Sequence, residues 1–168
     1  GTIDVIEIIP NFDSYAAIRE DGSVVAWGPP STSNDNALSP GELKSFDENG
    51  IYVVDVSSKL DGTIDVIEII PNHKSYAAIR EDGSVVVWGH QDYGGTLRNS
   101  EYASIADKVD GTIDVTQIVG NTQSFAALRE DGSVVTWGDA SSSLKNGSMF
   151  PYEQLGAANA LDGTIDVI

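Results

Sequence analysis

The chain contains no cysteine among its 168 residues. That absence excludes disulfide bonds, thiolate nucleophiles and cysteine-ligated metal sites, while it leaves the redox compartment open. No apolar run approaches the about 18 residues that a membrane-spanning helix requires, so we expect no membrane insertion. No basic region followed by an apolar core marks a signal peptide at the N-terminus. The chain begins at Gly1 rather than at methionine, which indicates a processed product or an excised piece.

Positive charge is also scarce. The sequence has 26 acidic and nine basic side chains, a net charge of −17 and an isoelectric point near 4.1. Such a surface repels phosphate backbones and anionic lipid headgroups, so we expect no nucleic-acid partner. The acidity fits a high-salt environment, divalent cations or solubility, and solubility is the simplest of the three explanations.

The chain repeats one block three times, at residues 1–28, 62–89 and 111–138. The first two copies differ at three of the 28 aligned positions: Phe12/His73, Asp13/Lys74 and Ala26/Val87. A fixed block that alternates with spacers of variable length is typical of repeat architectures. The predicted organisation is repeat 1 at residues 1–61, repeat 2 at 62–110, repeat 3 at 111–162 and the start of a fourth repeat at 163–168.

Each block predicts three short strands, which in the first copy are Ile3–Ile9, Ser14–Arg19 and Ser23–Trp27. Apolar residues occupy both alternating faces of these strands, as in stacked propeller blades or sandwich interiors. The fold class is therefore mainly β, with three tandem propeller-blade-like antiparallel units of three to four strands and loop or short-helix spacers. Glu-Asp-Gly tripeptides form the hairpins, so we expect a positive φ at Gly22, Gly83 and Gly132.

The spacers read differently from the blocks. Pro29–Gly50 is rich in proline, serine, asparagine and glycine and predicts a loop, followed by an extra strand in Ile51–Val56. A short segment precedes each restart, and it is compatible with a helical turn or with a fourth blade strand; the helical turn is favoured. These segments are Val56–Leu60, Ala103–Val109 and Gln154–Leu161.

The second half of each block, which reads SYAAIREDGSVVAWG at Ser14–Gly28, resembles the repeats of the regulator of chromosome condensation family. The match recurs at Ser75–Gly89 and Ser124–Gly138. The resemblance implies a β-propeller that serves as a protein–protein interaction platform. Among the members of this family, the repeat arrays of large bacterial surface proteins look most similar, because of the short-helix spacers and the phrase Asp-Gly-Thr-Ile-Asp.

Two departures separate the chain from the family pattern. The histidine that precedes the serine in the family is Asp13, Lys74 and Gln123 here. The Gly-Gln-Leu-Gly segment that often follows Trp-Gly is found only as Gln154-Leu155-Gly156. The resemblance therefore specifies the fold more than the function.

Two sets of recurring residues are candidates for special roles. Trp27, Trp88 and Trp137 can line a ligand groove, but we expect them to be equivalent buried anchors at blade ends. The arginines are expected to pair with the acidic residue that follows each of them or with its neighbours. These residues are Arg19, Arg80 and Arg129 beside Glu20, Glu81 and Glu130.

Aspartate pairs recur at each restart and are the only metal candidates: Asp61 and Asp65, Asp110 and Asp114, and Asp162 and Asp166. Carboxylates in repeats can bind calcium, but the Asp-x-Asp-x-Asp-Gly loop with its distal glutamate is missing, so a plain turn is favoured. His73 and His90 each occur in a single repeat, without a catalytic triad spacing. We therefore expect no enzyme activity and no cofactor.

These features predict a non-catalytic repeat module of a large bacterial surface or secreted protein, located extracellularly or at the cell surface, that binds proteins or other ligands. The alternative is a structural subunit that assembles into a closed ring or a filament through its terminal repeats, because both ends carry the strand Gly-Thr-Ile-Asp-Val-Ile. In that case the partners are other copies of the chain or flanking repeats.

Overall fold

The computed structural model describes residues 2–29, 41–46, 53–97 and 105–138. Within these residues, three antiparallel sheets have three strands each, in the orders β1-β2-β3, β6-β7-β8 and β9-β10-β11, and β4 pairs with β5 in a separate hairpin. The strands are β1 Val5–Pro10, β2 Tyr15–Arg19, β3 Val24–Trp27, β4 Lys44–Phe46, β5 Val53–Asp55, β6 Val66–Pro71, β7 Ser75–Arg80, β8 Val85–Gly89, β9 Val115–Gly120, β10 Ser124–Arg129 and β11 Val134–Gly138. The predicted mainly β fold with three blade-like units is confirmed.

The spacers contain short 3₁₀ helices at Ser57–Lys59, Gln91–Tyr93 and Ala106–Lys108. The first and third lie in segments for which the sequence favours a helical turn, and the remaining segment, Gln154–Leu161, lies outside the described residues. No helix in the described part of the chain is long and apolar enough to cross a membrane.

The loop prediction for the first spacer is wrong in one place. The strand predicted in that spacer forms as β5, but it has a partner, β4, in the stretch for which we expected only a loop. The two pair in antiparallel register, with Lys44 opposite Asp55 and Ser45 opposite Val54. A strand of three residues is too short to show an alternating pattern in the sequence, so its partner determines its structure.

The β7–β8 hairpin shows why the Glu-Asp-Gly tripeptide recurs. The carboxylate Oδ1 of Asp82 accepts hydrogen bonds from the Ser84 backbone N–H (3.1 Å) and the Ser84 hydroxyl (2.5 Å). Asp21 and Asp131 form the same pair of bonds in the other repeats. The glycine between aspartate and serine has a φ of 71°, 72° and 80° at Gly22, Gly83 and Gly132, which is the conformation that the sequence predicts.

A β-bulge near the start of the first strand of each block decides which side chains face inward. In β6, Val66 is opposite Arg80 and Glu68 is opposite Ile79, which leaves Ile67 as an extra residue. The bulge places Val66 and Ile69 on the same face although they are three residues apart, and it leaves Ile67 60% exposed. The same irregularity occurs in β1 and β9.

Each sheet has two apolar faces, and we name them from repeat 2. The Trp face consists of Val66, Ile69, Tyr76, Ala78, Val86 and Trp88. The reverse face consists of Ile70, Ala77, Ile79, Val85 and Val87.

The Trp face of one repeat packs against the reverse face of the repeat before it, and we call this contact the seam. Val56 and Leu60 from the first spacer complete the seam between repeats 1 and 2. Ile105 and Val109 complete the seam between repeats 2 and 3. Since a fully buried aliphatic or aromatic side chain contributes about 1.5–3 kcal/mol, the two seams supply most of the apolar stabilisation of the described chain.

Backbone contacts fix the seam at one edge. The Val66 N–H donates to the Gly22 carbonyl across 3.0 Å, and the Val115 N–H donates to the Gly83 carbonyl across 2.9 Å. The chain reaches these contacts through Gly111 at φ 90° and its counterpart in repeat 2. The Gly-Thr-Ile-Asp phrase therefore docks the start of each repeat on the hairpin of the previous one.

We expect Gly111→Ala to lower the free energy of unfolding by about 2 kcal/mol or more, because alanine is strained at this φ and its Cβ would lie 2.6 Å from the Asp82 carbonyl oxygen. Urea denaturation followed by circular dichroism measures this cost. Gly111→Asn separates the two causes, since asparagine tolerates positive φ but carries the same Cβ. If Gly111→Asn is as stable as the wild type, the close approach across the seam is refuted.

Candidate interaction surface

The three tryptophans are not equivalent. Trp88 and Trp137 are 0% and 2% exposed, whereas Trp27 is 43% exposed. The prediction that all three are buried is therefore wrong for Trp27. Each tryptophan is buried only where the reverse face of the preceding repeat packs against it. No described residue supplies such a face for repeat 1.

The exposure of Trp27 extends to three other side chains on the Trp face of repeat 1. Val5, Ile8 and Tyr15 are 49%, 58% and 47% exposed, although their counterparts in repeat 2 are at most 6% exposed. We call Val5, Ile8, Tyr15 and Trp27 the open Trp face. A contiguous apolar patch of this kind is typical of a surface that binds another protein.

The open Trp face already has the geometry of a buried one. The rings of Tyr15 and Trp27 stack with centroids 5.5 Å apart and planes at 16°. The buried pair Tyr76 and Trp88 stacks at 5.1 Å and 20°. Since the exposed rings do not need to rearrange, little side-chain entropy is lost when a partner covers them.

A hydrogen bond at the seam shows what polar group such a partner needs. The Tyr76 hydroxyl lies 3.1 Å from the Ser14 hydroxyl of the preceding repeat. Burial of the phenol raises the pKa of Tyr76 to about 12. Tyr15 holds the equivalent hydroxyl on the open Trp face, so a partner with a hydroxyl at this point completes the same contact.

Repeat 3 presents the complementary surface. Val119 is 55% exposed, while its counterpart Ile70 in repeat 2 is 9% exposed. Its neighbours on the reverse face of repeat 3 are only partly buried: Ala126, Leu128, Val134 and Thr136. These residues match the reverse face of repeat 2 apart from small changes in side-chain size and one threonine in place of valine.

Arg80 and Arg129 pair with neighbours of the glutamates, Asp82 and Asp131, which the sequence prediction allowed. The Nε of Arg19, in contrast, is buried without a hydrogen-bond partner among the described residues. The Arg80 Nε donates to the Ser84 hydroxyl at 2.8 Å, and its guanidinium lies 3.4 Å from the Asp82 carboxylate. Arg129 and Asp131 repeat this arrangement at 3.4 Å. Partial desolvation acts to raise the pKa of Asp82, but the hydrogen bonds from Ser84 and the charge of Arg80 outweigh it and lower the pKa. These partly exposed pairs hold the hairpins and add little to stability.

The repeated aspartates have separate structural roles. Asp61 Oδ1 accepts a hydrogen bond from the Thr63 N–H at 2.9 Å, and hydrogen bonds from the backbone and side chain of Thr63 lower the pKa of Asp61. Asp65 instead packs against the hairpin glycine Gly22 of the preceding repeat. Asp110 and Asp114 follow the same scheme, with Thr112 and Gly83 as partners, whereas Asp162 and Asp166 lie outside the described residues. Within the described ranges, no group of three or more histidine or carboxylate side chains is placed to hold a metal ion.

Sequence reasoning missed the turn between the first two strands of each block. Asn72 Oδ1 accepts hydrogen bonds from the Lys74 N–H (3.2 Å), the Ser75 N–H (2.9 Å) and the Ser75 hydroxyl (2.8 Å). Asn11 and Asn121 close the same turn in the other repeats. The recurring Asn-x-x-Ser spacing was the available signal, because an asparagine side chain commonly stabilises a turn in this way.

Part of the family's Gly-Gln-Leu-Gly segment, in the form Gly-x-Leu, also occurs earlier in the chain than expected. Gly41 packs so closely on Gly28 that a Cβ would lie 2.5 Å from the Gly28 nitrogen, and Gly95 packs on Gly89 in the same manner. Leu43 and Leu97, two residues after these glycines, pack against the two seams. The expected remnant, Gln154–Gly156, lies outside the described residues.

One cleft of about 360 Å³ lies between the β4–β5 hairpin and β8. Its lining is mainly aliphatic, with Asp55 and Lys59 as the charged groups: Ser45, Val54, Asp55, Val56, Lys59, Val85, Val86, Val87, Leu97 and Ala106.

Comparison with solved structures assigns the fold. Yeast RCC1 (Prp20) bound to Kap60 matches with a TM-score of 0.52 and 21% identity over 80% of this chain and 30% of Prp20. A second structure of Saccharomyces cerevisiae Prp20p, described with its binding to Gsp1p and histones, gives 0.52 and 20% over 80% of this chain and 31% of Prp20p. The C-terminal domain of gp131 from bacteriophage phiKZ gives 0.50 and 12% over 88% of this chain and 39% of that domain.

No protein-family model and no curated protein sequence matches the chain. The chain spans 30–39% of the length of these solved structures. At such low identity the likeness shows the fold alone: the three units have the fold of the blades in RCC1-like β-propellers.

Trp27 and Trp88 occupy equivalent positions in repeats 1 and 2, so substituting each of them tests directly whether they differ in burial. We expect Trp88→Ala to cost about 3–5 kcal/mol, as for a buried aromatic side chain, and Trp27→Ala to cost about 1 kcal/mol in the monomer. Urea denaturation of both variants at low protein concentration measures the two costs. Equal costs would contradict the exposure of the open Trp face.

The aspartate turns predict how the chain responds to divalent ions. Calcium and magnesium should change the melting temperature equally, because both only screen the net charge of −17. Differential scanning calorimetry with each ion and with a chelator checks this expectation. A saturable shift produced by calcium but not by magnesium would establish a calcium site at the repeated aspartates.

Proposed function

We propose that this chain is a non-catalytic, propeller-type repeat module of a large bacterial surface or secreted protein and that it acts by binding other proteins. The open Trp face carries this proposal, because it presents stacked aromatic rings and aliphatic side chains that are buried in the other two repeats. Tyrosine and tryptophan are the residues that contribute most to protein–protein contacts. The spacers and the Asp-Gly-Thr-Ile-Asp phrase resemble those of bacterial surface arrays. This resemblance supports a location at the cell surface or outside the cell.

The polar residues support binding rather than catalysis. The hairpin carboxylates recur in every repeat and are used to close the hairpins, and Arg80 and Arg129 pair with them in repeats 2 and 3. Catalysis requires a nucleophile, base and stabilising donors that converge on one point. The net charge of −17 disfavours nucleic acid as the partner.

Site-specific photocrosslinking in producing cells tests the binding role. A photoreactive amino acid at position 15 lies on the open Trp face. The same residue at position 67 is the control, because Ile67 is at least as exposed as Tyr15, 60% against 47%, but is not part of the Trp-face cluster. We expect position 15 to crosslink to protein and position 67 to give far less product. Protease treatment of intact cells should remove these crosslinks if the module lies at the surface. Equal labelling at both positions would contradict the binding role.

The second candidate function is self-assembly into a ring or filament. It is favoured by the complementary exposed surfaces of repeats 1 and 3, which are the two halves of the seam that already occurs twice within the chain. In the assembled form, the open Trp face of one copy covers Val119 and its neighbours on the next copy. The seam template places Tyr15 of one copy beside Ser124 of the other, as Tyr76 lies beside Ser14. A contact that joins different surfaces builds rings or open filaments.

Sedimentation velocity at micromolar concentration tests self-assembly. The wild type should form larger species, whereas Trp27→Lys and Val119→Lys should each be monomeric, because each places a charge in one half of the seam. Ile67→Lys is the control, because it places the same charge at an exposed apolar position outside the two halves of the seam, and it should assemble as the wild type does.

A mixture of Trp27→Lys and Val119→Lys should form a dimer and nothing larger, because each variant retains one intact half of the seam. A wild type that stays monomeric, or a mixture that stays monomeric, would exclude head-to-tail assembly. The crosslinking result distinguishes the two functions, since self-assembly yields crosslinks between copies of this chain.

A further inference from the structure

The Asn-x-x-Ser turns form a constant frame that displays variable residues. The two central residues are Phe12 and Asp13 in repeat 1, and His73 and Lys74 in repeat 2. The first two blocks differ at only three positions, and two of those three lie at the centre of this turn. Variation on a fixed frame is typical of a recognition surface rather than of a structural one.

The turns of repeats 1 and 2 meet in a line of rings that we call the aromatic ridge: Phe12, His73, Tyr93 and His90. The centroids of Phe12 and His73 are 4.3 Å apart, and those of His73 and Tyr93 are 5.6 Å apart. His90 meets Tyr93 edge-on at 5.1 Å. Phe12 is the most exposed of the large apolar side chains in the described chain, at 70%.

The ridge is held from both sides. The Tyr93 carbonyl accepts a hydrogen bond from Asn72 Nδ2 at 2.5 Å and another from the Ser75 hydroxyl. The Trp137 indole N–H donates to the carbonyl of the next residue, Gly94, at 3.1 Å. Contacts with two repeats fix the backbone beneath the rings. A partner can therefore bind the ridge without paying the entropy of ordering that backbone.

The ridge already binds one cation of its own chain. The Lys74 ammonium lies 5.6 Å from the centroid of the Tyr93 ring, within the range of a cation–π interaction. No described residue places a cation over Phe12 in this way. Beside Phe12, the Asp13 Oδ1 is buried without a hydrogen-bond donor.

We propose that Phe12 and Asp13 bind a lysine or arginine side chain of a basic partner protein, with the cation over the Phe12 ring and hydrogen-bonded to the Asp13 carboxylate. The net charge of −17 attracts such a partner over a long range and opposes an acidic one. Lys74 confines the site to the Phe12 end of the ridge, since its ammonium repels a second cation at the Tyr93 end. Asp92 immediately precedes Tyr93 and adds a negative charge to the segment that carries this ring.

Fluorescence anisotropy with labelled hexa-arginine at physiological salt tests the proposal, and labelled hexa-glutamate serves as the opposite probe. The variants Asp13→Lys and Phe12→His introduce the residues that repeat 2 holds at the same turn, so the fold tolerates them. We expect Asp13→Lys to weaken hexa-arginine binding about tenfold or more, and Phe12→His about two- to fivefold.

Glu68→Lys is the matched control, because it changes the net charge by the same two units at an exposed position of β6. It should weaken binding less than about threefold, as expected for general screening. Equal losses in Asp13→Lys and Glu68→Lys would show general attraction to an acidic protein and overturn the proposal. Tighter binding of hexa-glutamate, or no detectable binding of hexa-arginine, would also overturn it.

Discussion

Trp88 and Trp137 are buried because the reverse face of another repeat lies against them. A single blade has two apolar faces and cannot cover either of them alone, so the repeat is stable only in contact with its neighbours. The same dependence explains the exposure of Trp27, since the described chain contains three Trp faces but only two seams. Stability and binding capacity thus have one origin: the surface that stabilises an inner repeat is the surface that an outer repeat offers to a partner.

The polar residues serve the seams in two ways. Hairpins closed by Asp21 and Asp82 present their glycine carbonyls to the next repeat, and the valine that follows the Gly-Thr-Ile-Asp phrase donates its backbone N–H to them. Asparagine-closed turns at the opposite end of the strands hold their ends while leaving two positions free to vary. Because every hairpin and turn uses its own carboxylate or amide, the acidic surface outside them is free to determine which partners approach.

The sequence predicted the three blade-like units because each has its own hairpin signal and apolar strands. It failed at Trp27, because a local pattern is identical whether or not a neighbouring repeat covers it. It also assigned the run from Val5 to Ile9 to two inward faces, whereas the bulge turns Ile6 outward, to 66% exposure. The ridge was not predictable, since Phe12 and His73 are 61 residues apart and the meeting of their rings depends on how two repeats pack.

Hydrogen–deuterium exchange of the three central strands tests the seam account most directly, because protection reports the local stability of each sheet. At the lowest protein concentration, β7 should exchange most slowly, since its sheet is covered on both faces, while β2 and β10 should exchange faster. Protection of β2 should then rise with protein concentration if copies of the chain cover the open Trp face. Protection of β2 equal to that of β7 in the dilute monomer would contradict the account.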